Sequence, residues 1–188
     1  MQLTKEIILD AALEILDEYG LQDLTIRRLA RHLDVAAGAM YWHYPSKQAL
    51  LGAVADRTLT PLTTREFTGG WRDNVSKFIT AFHECLTHHR DGAEIVAAAM
   101  ATGTAQLSPL SLLAPLLDDA PSNFSATDLA STLVHFTIGT TLDEQTTERM
   151  AELAKDDPSL SVDEIRQQGL RRISLGCEII LAGIEAAG

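Results

Sequence analysis

Aromatic side chains are scarce in this sequence: phenylalanine, tyrosine and tryptophan make up 5 % of its 188 residues. Cysteine is scarcer, with Cys85 and Cys177 alone. Both fall inside helical patterns, which excludes a disulfide-stapled scaffold and reads as core filler in a reducing compartment. Long hydrophobic runs are missing too, and none approaches the roughly 20 residues that a membrane span requires. The first residues form an amphipathic stretch instead of a basic-then-apolar leader, so a cytoplasmic location without membrane contact is expected. Basic charge is also short: 15 Lys and Arg stand against 26 Asp and Glu, for a net charge of −11. A molecule of that sign repels nucleic acid over most of its surface.

What the chain does contain is aliphatic and small. Hydrophobic residues reach 46 %, enough for one good core or for a small domain joined to a larger one. No strand-like alternation and no internal repeat occurs, and the expected fold class is all-α. Thr4 can cap a helix whose stripe is Ile7, Ile8, Ala11, Ala12, Ile15, Leu16 and Tyr19, with Gly20 as its stop. Pro45-Ser46 opens a longer helix through Leu50, Leu51, Val54 and Leu59 toward Pro61, and Gly69-Gly70 breaks the chain. Trp71 to His89 reads as a long amphipathic helix closed by Asp91-Gly92. The Ala-rich segment 93–102 is expected to be buried all round. Pro109, Pro115 and Pro121 break residues 107–117 into short pieces. Ser125 can cap a helix to about Ala154. A polar loop follows at 155–161, and a last helix spans about 162–187.

The most informative stretch lies between Thr25 and Leu51. Ile26, Leu29, Ala30 and Leu33 are spaced as one helix face. A turn at Asp34-Val35 leads to a second short helix, expected to carry Ala36, Ala39 and Met40 inward and to present Tyr41 and His43. Helix, turn and helix at this length is the design in which the second helix enters the major groove of DNA. Four basic residues (Arg27, Arg28, Arg31 and Lys47) face one acid, Asp34, between Thr25 and Gln48. On so acidic a chain, binding through one patch would depend strongly on salt and orientation. The competing reading is a solvated basic face on an ordinary bundle, and the aromatic-rich second helix weighs against it.

Gly38, Tyr41, Tyr44, Lys47 and Leu50 stand in a pattern that resembles the TetR family of transcriptional regulators. Tyr41-Trp42-His43, the run from His89 to Ala93, the run from His135 to Gly139 and the run from Leu175 to Gly183 are similar, in order, to the tetracycline-repressor branch of that family. The resemblance implies a helix-turn-helix head at 1–45 forming a three-helix bundle, a connecting helix at 46–66, and a larger ligand-binding and dimerisation domain at 67–188. It implies a homodimer joined by C-terminal helices, double-stranded operator DNA as partner, and a small-molecule inducer, unidentified here, that releases a repressor. Gly139, Gly176 and Gly183 sit inside helices, where each costs roughly 1 kcal/mol against Ala, and close approach at a dimer seam would explain them.

The same resemblance assigns the site residues. Thr25 and Lys47 would bond phosphate, and Tyr41 and His43 would reach backbone or base edges. Arg28, Ala37, Gly38, Ala39 and Trp42 complete the DNA-facing set. Arg27 is the expected base reader, because a guanidinium can bond guanine O6 and N7 together. Ala37 and Ala39 replace polar residues of the branch, so the operator should differ, and Asp34 stands where the family usually has Gly. The branch binds a magnesium–drug chelate, but Val96 occupies the place of a metal-ligating His, Phe78 that of a polar residue and Thr63 that of a second His. Asp143 replaces a Glu. No metal and no other cofactor is therefore expected. The implied pocket is apolar: Phe78, Phe82, Val96, Met100, Leu113, Leu116 and Leu133, with Ser131 or Thr132 as polar anchors, and these residues could equally fill a core. A rival is a metal-responsive regulator using His83, Cys85, His88 and His89. An enzyme is not expected: His89-Arg90-Asp91 looks like a kinase catalytic loop, but no Gly-rich phosphate loop accompanies it.

Overall fold

The structure is a computed structural model and describes residues 3–154 and 161–188; most of the expected polar loop, 155–160, lies outside them. Among the described residues no strand occurs, and the chain runs through nine α-helices. The first is α1, Lys5–Tyr19, which starts where Thr4 accepts a hydrogen bond from Ile7 N–H and stops where Gly20, at φ 84°, donates to Leu16 C=O. Two short helices follow, α2 (Ile26–His32) and α3 (Ala37–Tyr41). Ser46 caps α4, Lys47–Thr63. Then come α5 (Trp71–His88), α6 (Gly92–Thr102) and α7 (Pro109–Leu113), the last running into a 3₁₀ turn at Ala114–Leu117. Ser125 caps α8, Ala126–Leu153. Ser161 and Glu164 form a reciprocal capping box on α9, Val162–Ala186, whose hydrogen bonds hold the Glu164 carboxyl below its usual range.

One continuous core runs from Ile8 and Leu16 in α1 through Val54 and Leu59 in α4 to Phe82, Leu133 and Leu181. Cys85 and Cys177 are both buried in it, and burial pushes both thiols up from their usual range. The α6 segment is not buried all round. Ala93, Ile95, Val96 and Ala99 face the core, while Glu94, Ala101 and Thr102 are exposed.

Polar groups from α8 finish the corner between α5 and α6. Gln145 donates to the carbonyls of Leu86 and His89 and accepts from Ala93 N–H, so one side chain satisfies three backbone groups that the helix ends leave open. Beside it, His83 and Glu144 are buried together at 2.7 Å. Gly169 of α9 lies against that carboxylate, and a Cβ there would fall 2.1 Å from Glu144 Oε2.

The expected seam glycines separate into two kinds. A Cβ at Gly176 would fall 2.0 Å from the ring of Phe136, so close packing of α9 on α8 within the chain already accounts for this glycine. Gly139 and Gly183 have nothing within 4 Å on their open side. Gly52 is the tightest link between α4 and α6, where a Cβ would meet the Thr104 carbonyl oxygen at 2.3 Å. Backbone cannot rotate aside as a ring edge can. Gly52→Ala is therefore expected to cost about 1–3 kcal/mol of stability, and more than Gly176→Ala, as read from urea unfolding midpoints.

Candidate nucleic-acid interface

The helix-turn-helix is built from its buried side. Leu29, Ala30 and Met40 are in the core, and Val35 N–H donates to Ala30 C=O at 2.9 Å to close the turn. Asp34 takes the left-handed conformation, φ 53°, that the family's glycine would take without strain. Tyr44 is buried behind α3 and its hydroxyl donates to Lys5 C=O. The outward face holds Ala37, Gly38, Tyr41 at 52 % exposure and Trp42 at 90 %. Ala36, expected inward, is exposed as well: its extended backbone, φ −66° and ψ 137°, caps α3 from outside, and the inward face begins at half-buried Ala39.

Thr25 caps α2 by accepting from Arg28 N–H at 3.1 Å, which leaves its hydroxyl proton to give to an acceptor in solvent. Lys47 is the first residue of α4, and His43 is half-buried beside Tyr44. Arg27 and Arg31 are exposed. Arg28 is placed differently from the expectation. Its guanidinium bonds Asp23 and lies 3.7 Å from the centre of the Tyr19 ring, so it fastens α2 to α1. Arg31, outside the expected contact set, stands four residues after Arg27 on the same helix and is exposed like it.

Charged side chains tie this head to the rest. From α4, Arg57 bonds Glu6 and Asp10 of α1, and Asp56 accepts from the N–H groups of Gln106 and Leu107 at 2.8 and 2.7 Å. At the other end of α1, Asp91 accepts from Leu21 N–H and from Arg149 of α8, each at 2.8 Å. A cleft of about 490 Å³ runs between Lys5, His43, Arg57 and Thr104.

The residues expected to form a ligand pocket are brought together as packed core. Phe78, Phe82, Val96, Leu113 and Leu133 are fully buried, Met100, Leu116 and Ser131 half-buried, and Thr132 exposed. Phe67, Phe78 and Phe82 form a tilted row with ring centres 5.6 and 6.2 Å apart. Asp143 faces outward and pairs with Arg172.

The histidine and cysteine cluster does not assemble. His83 points inward to Glu144, about 200° round the helix from Cys85, so the two cannot share one ion. His89 leaves the helix with extended backbone and bonds Asp17 at 2.9 Å. Among the described residues no three of His, Cys, Asp or Glu converge on a point that could hold a metal.

Residues 8–54 match the family described as bacterial regulatory proteins, tetR family, and residues 63–187 match the tetracyclin repressor-like C-terminal domain. The class C tetracycline repressor protein of Escherichia coli is 31 % identical over 98 % of this chain and 91 % of its own length. The crystal structure of Mycobacterium smegmatis BioQ is similar with a TM-score of 0.87 and 34 % identity, both chains being covered in full. BioQ with its natural double-stranded DNA operator gives 0.81 and 34 %, with 98 % of this chain and 99 % of that one covered.

The turn at Asp34 is a local test of this geometry. Asp34→Val places a β-branched residue at positive φ and should lower stability by about 1–2 kcal/mol. Asp34→Gly should lose nothing of that size; equal losses for both in thermal unfolding would contradict the positive φ.

Proposed function

Because this chain belongs to the TetR family of bacterial regulatory proteins, we propose that it represses transcription as a homodimer on operator DNA and is released by a small, mainly apolar inducer. It is a DNA-binding transcriptional regulator and not an enzyme. The single observation that carries the finer reading is the exposed face of α3 beside exposed, basic α2, on a molecule of net charge −11. A patch of that kind gains affinity from phosphate and, through the acidic remainder, demands one orientation. The likeness to BioQ, a protein solved with its own double-stranded DNA operator, supports operator DNA as the partner.

In this reading residues 1–45 are the reading head, 46–66 the connection and 67–188 the ligand-binding and dimerisation body. Arg27 reads guanine, Thr25 and Lys47 hold phosphate, and Tyr41 and His43 touch backbone or base edges. Ala37, Gly38, Ala39 and Trp42 close against the groove. The dimer forms through α9, where Leu175 and Ile179, 65 % and 63 % exposed, lie in one stripe with exposed Ala182 and Ala186. Open Gly139 and Gly183 let the partner backbone come close. Two heads would then stand about one DNA turn apart, roughly 34–36 Å.

The inducer is taken into the core lined by Phe78, Phe82, Val96, Met100, Leu113, Leu116 and Leu133, with Ser131 as polar anchor. That lining carries no metal donor, so affinity comes from apolar burial, about 25 cal/mol per Å². Entry requires the packed core to part, which favours the released state by the ligand's differential affinity. Movement of α6 passes to α4 through the Thr104 contact on Gly52 and the Asp56 hydrogen bonds, and α4 carries the head.

Fluorescence anisotropy on selected and unrelated duplexes tests the assignment. Arg27→Ala should erase the preference for the selected operator. Lys47→Ala should weaken all duplexes alike and flatten the slope of log K against log salt by about 0.9 per subunit. Equal, small losses from both would contradict it. Leu175→Asp with Ile179→Asp should give monomers in sedimentation and weaken operator binding; an undisturbed dimer would place the seam elsewhere.

A further inference from the structure

We propose that Arg31, which sequence likeness leaves out of the DNA-facing set, is a phosphate anchor of the operator-binding surface; the inference rests on the operator-binding reading above. The argument begins with how this chain treats its arginines. Of the eleven in the sequence, eight have a carboxylate partner: Arg28, Arg57, Arg65, Arg72, Arg90, Arg149, Arg166 and Arg172. With 26 acidic residues available, pairing is the rule across the molecule. Among the described residues three have none: Arg171, alone on α9, and Arg27 and Arg31, one helical turn apart on α2. Arg27 and Arg31 are exposed and neither has an acidic partner among the described residues. His32, next to Arg31, is by contrast engaged with Glu14 at 3.0 Å.

Like charges four apart on a helix repel each other. Arg27 and Arg31 carry that repulsion with no carboxylate of the described residues paired to either. Phosphate at Arg31, beside the base reader Arg27, would offset it. The Arg28 side chain cannot join them without leaving both Asp23 and the Tyr19 ring. That double attachment also fixes which way α2 turns its other arginines, so Arg28 is a positioning residue for the head. The first helix of such a motif crosses the DNA backbone, which brings phosphate within reach of Arg31, one turn along α2 from the base reader Arg27.

The experiment compares Arg31→Ala, Arg31→Lys and Arg28→Ala on one selected operator and one unrelated duplex, with affinity measured from 50 to 200 mM salt. Alanine keeps helix propensity, and thermal unfolding of each variant checks folding. For Arg31→Ala the salt slope should fall by about 0.9 per subunit on both duplexes. At 50 mM that corresponds to a loss of affinity of roughly 15-fold per subunit, or about 200-fold for the dimer. Arg31→Lys should restore the slope. Arg28→Ala should lower the unfolding temperature and leave the slope unchanged. An unchanged slope for Arg31→Ala, a loss confined to one sequence, or a slope that falls with Arg28→Ala instead would each overturn the proposal. Failure of the unsubstituted protein to bind either duplex at 50 mM would instead sink the operator-binding reading, and the proposal with it.

Discussion

Two adjacent residues of α4 hold the molecule's two halves in one relation. Arg57 reaches back to Glu6 and Asp10 of α1, while Asp56 reaches forward to the N–H groups of Gln106 and Leu107. Neither attachment is buried deeply, and surface ion pairs alone contribute little. What gives them force is Gly52, one turn earlier, where the backbone after α6 sits directly against α4. The helix is wedged sterically and then aimed electrostatically. Any rearrangement of the segment around Thr104 must therefore move α4 or break the Asp56 contacts, and the head follows because Arg57 is attached to it.

Charge is distributed in the same spirit. The acidic body neutralises nearly every arginine it can reach, through pairs such as Arg72 with Glu178 and Glu185 or Arg149 with Asp91. Among the described residues the arginines left without a carboxylate are Arg171 on α9 and, one turn apart on α2, Arg27 and Arg31, with Lys47 nearby at the start of α4. A small unneutralised patch on a repelling molecule discriminates by orientation more than a uniformly basic protein could, at the expense of overall attraction.

Much of the fold was legible in the sequence because helix ends are local. Thr4, Ser46 and Ser125 each act as the cap their position suggests, and Gly20 takes the positive φ that ends α1. The turn at Asp34 was legible for the same reason. What was not legible depends on how turns and neighbouring helices fold back, or on backbone direction. Spacing places Arg28 on α2, but the turn after α1 is what sets Tyr19 and Asp23 against it. Nothing local distinguishes Gly176, backed by Phe136, from Gly183, backed by nothing. The cluster of His83, Cys85 and His88 is close in sequence and divided round the helix. Ala36 reads as helical by composition, yet it is the residue before the helix starts.

The two ends of α6 are held unequally. Its start is fastened to α8 by Gln145, whose amide also closes the end of α5, and by the hydrogen bonds that surround Asp91. Its finish passes through left-handed Gly103 into a segment whose side-chain attachment, among the described residues, is to Asp56 of α4. A rod fixed more firmly at one end would swing instead of sliding, with displacement growing with distance from the fulcrum. Thr104 lies at the far end of that arm, where the lever meets the helix that carries the head.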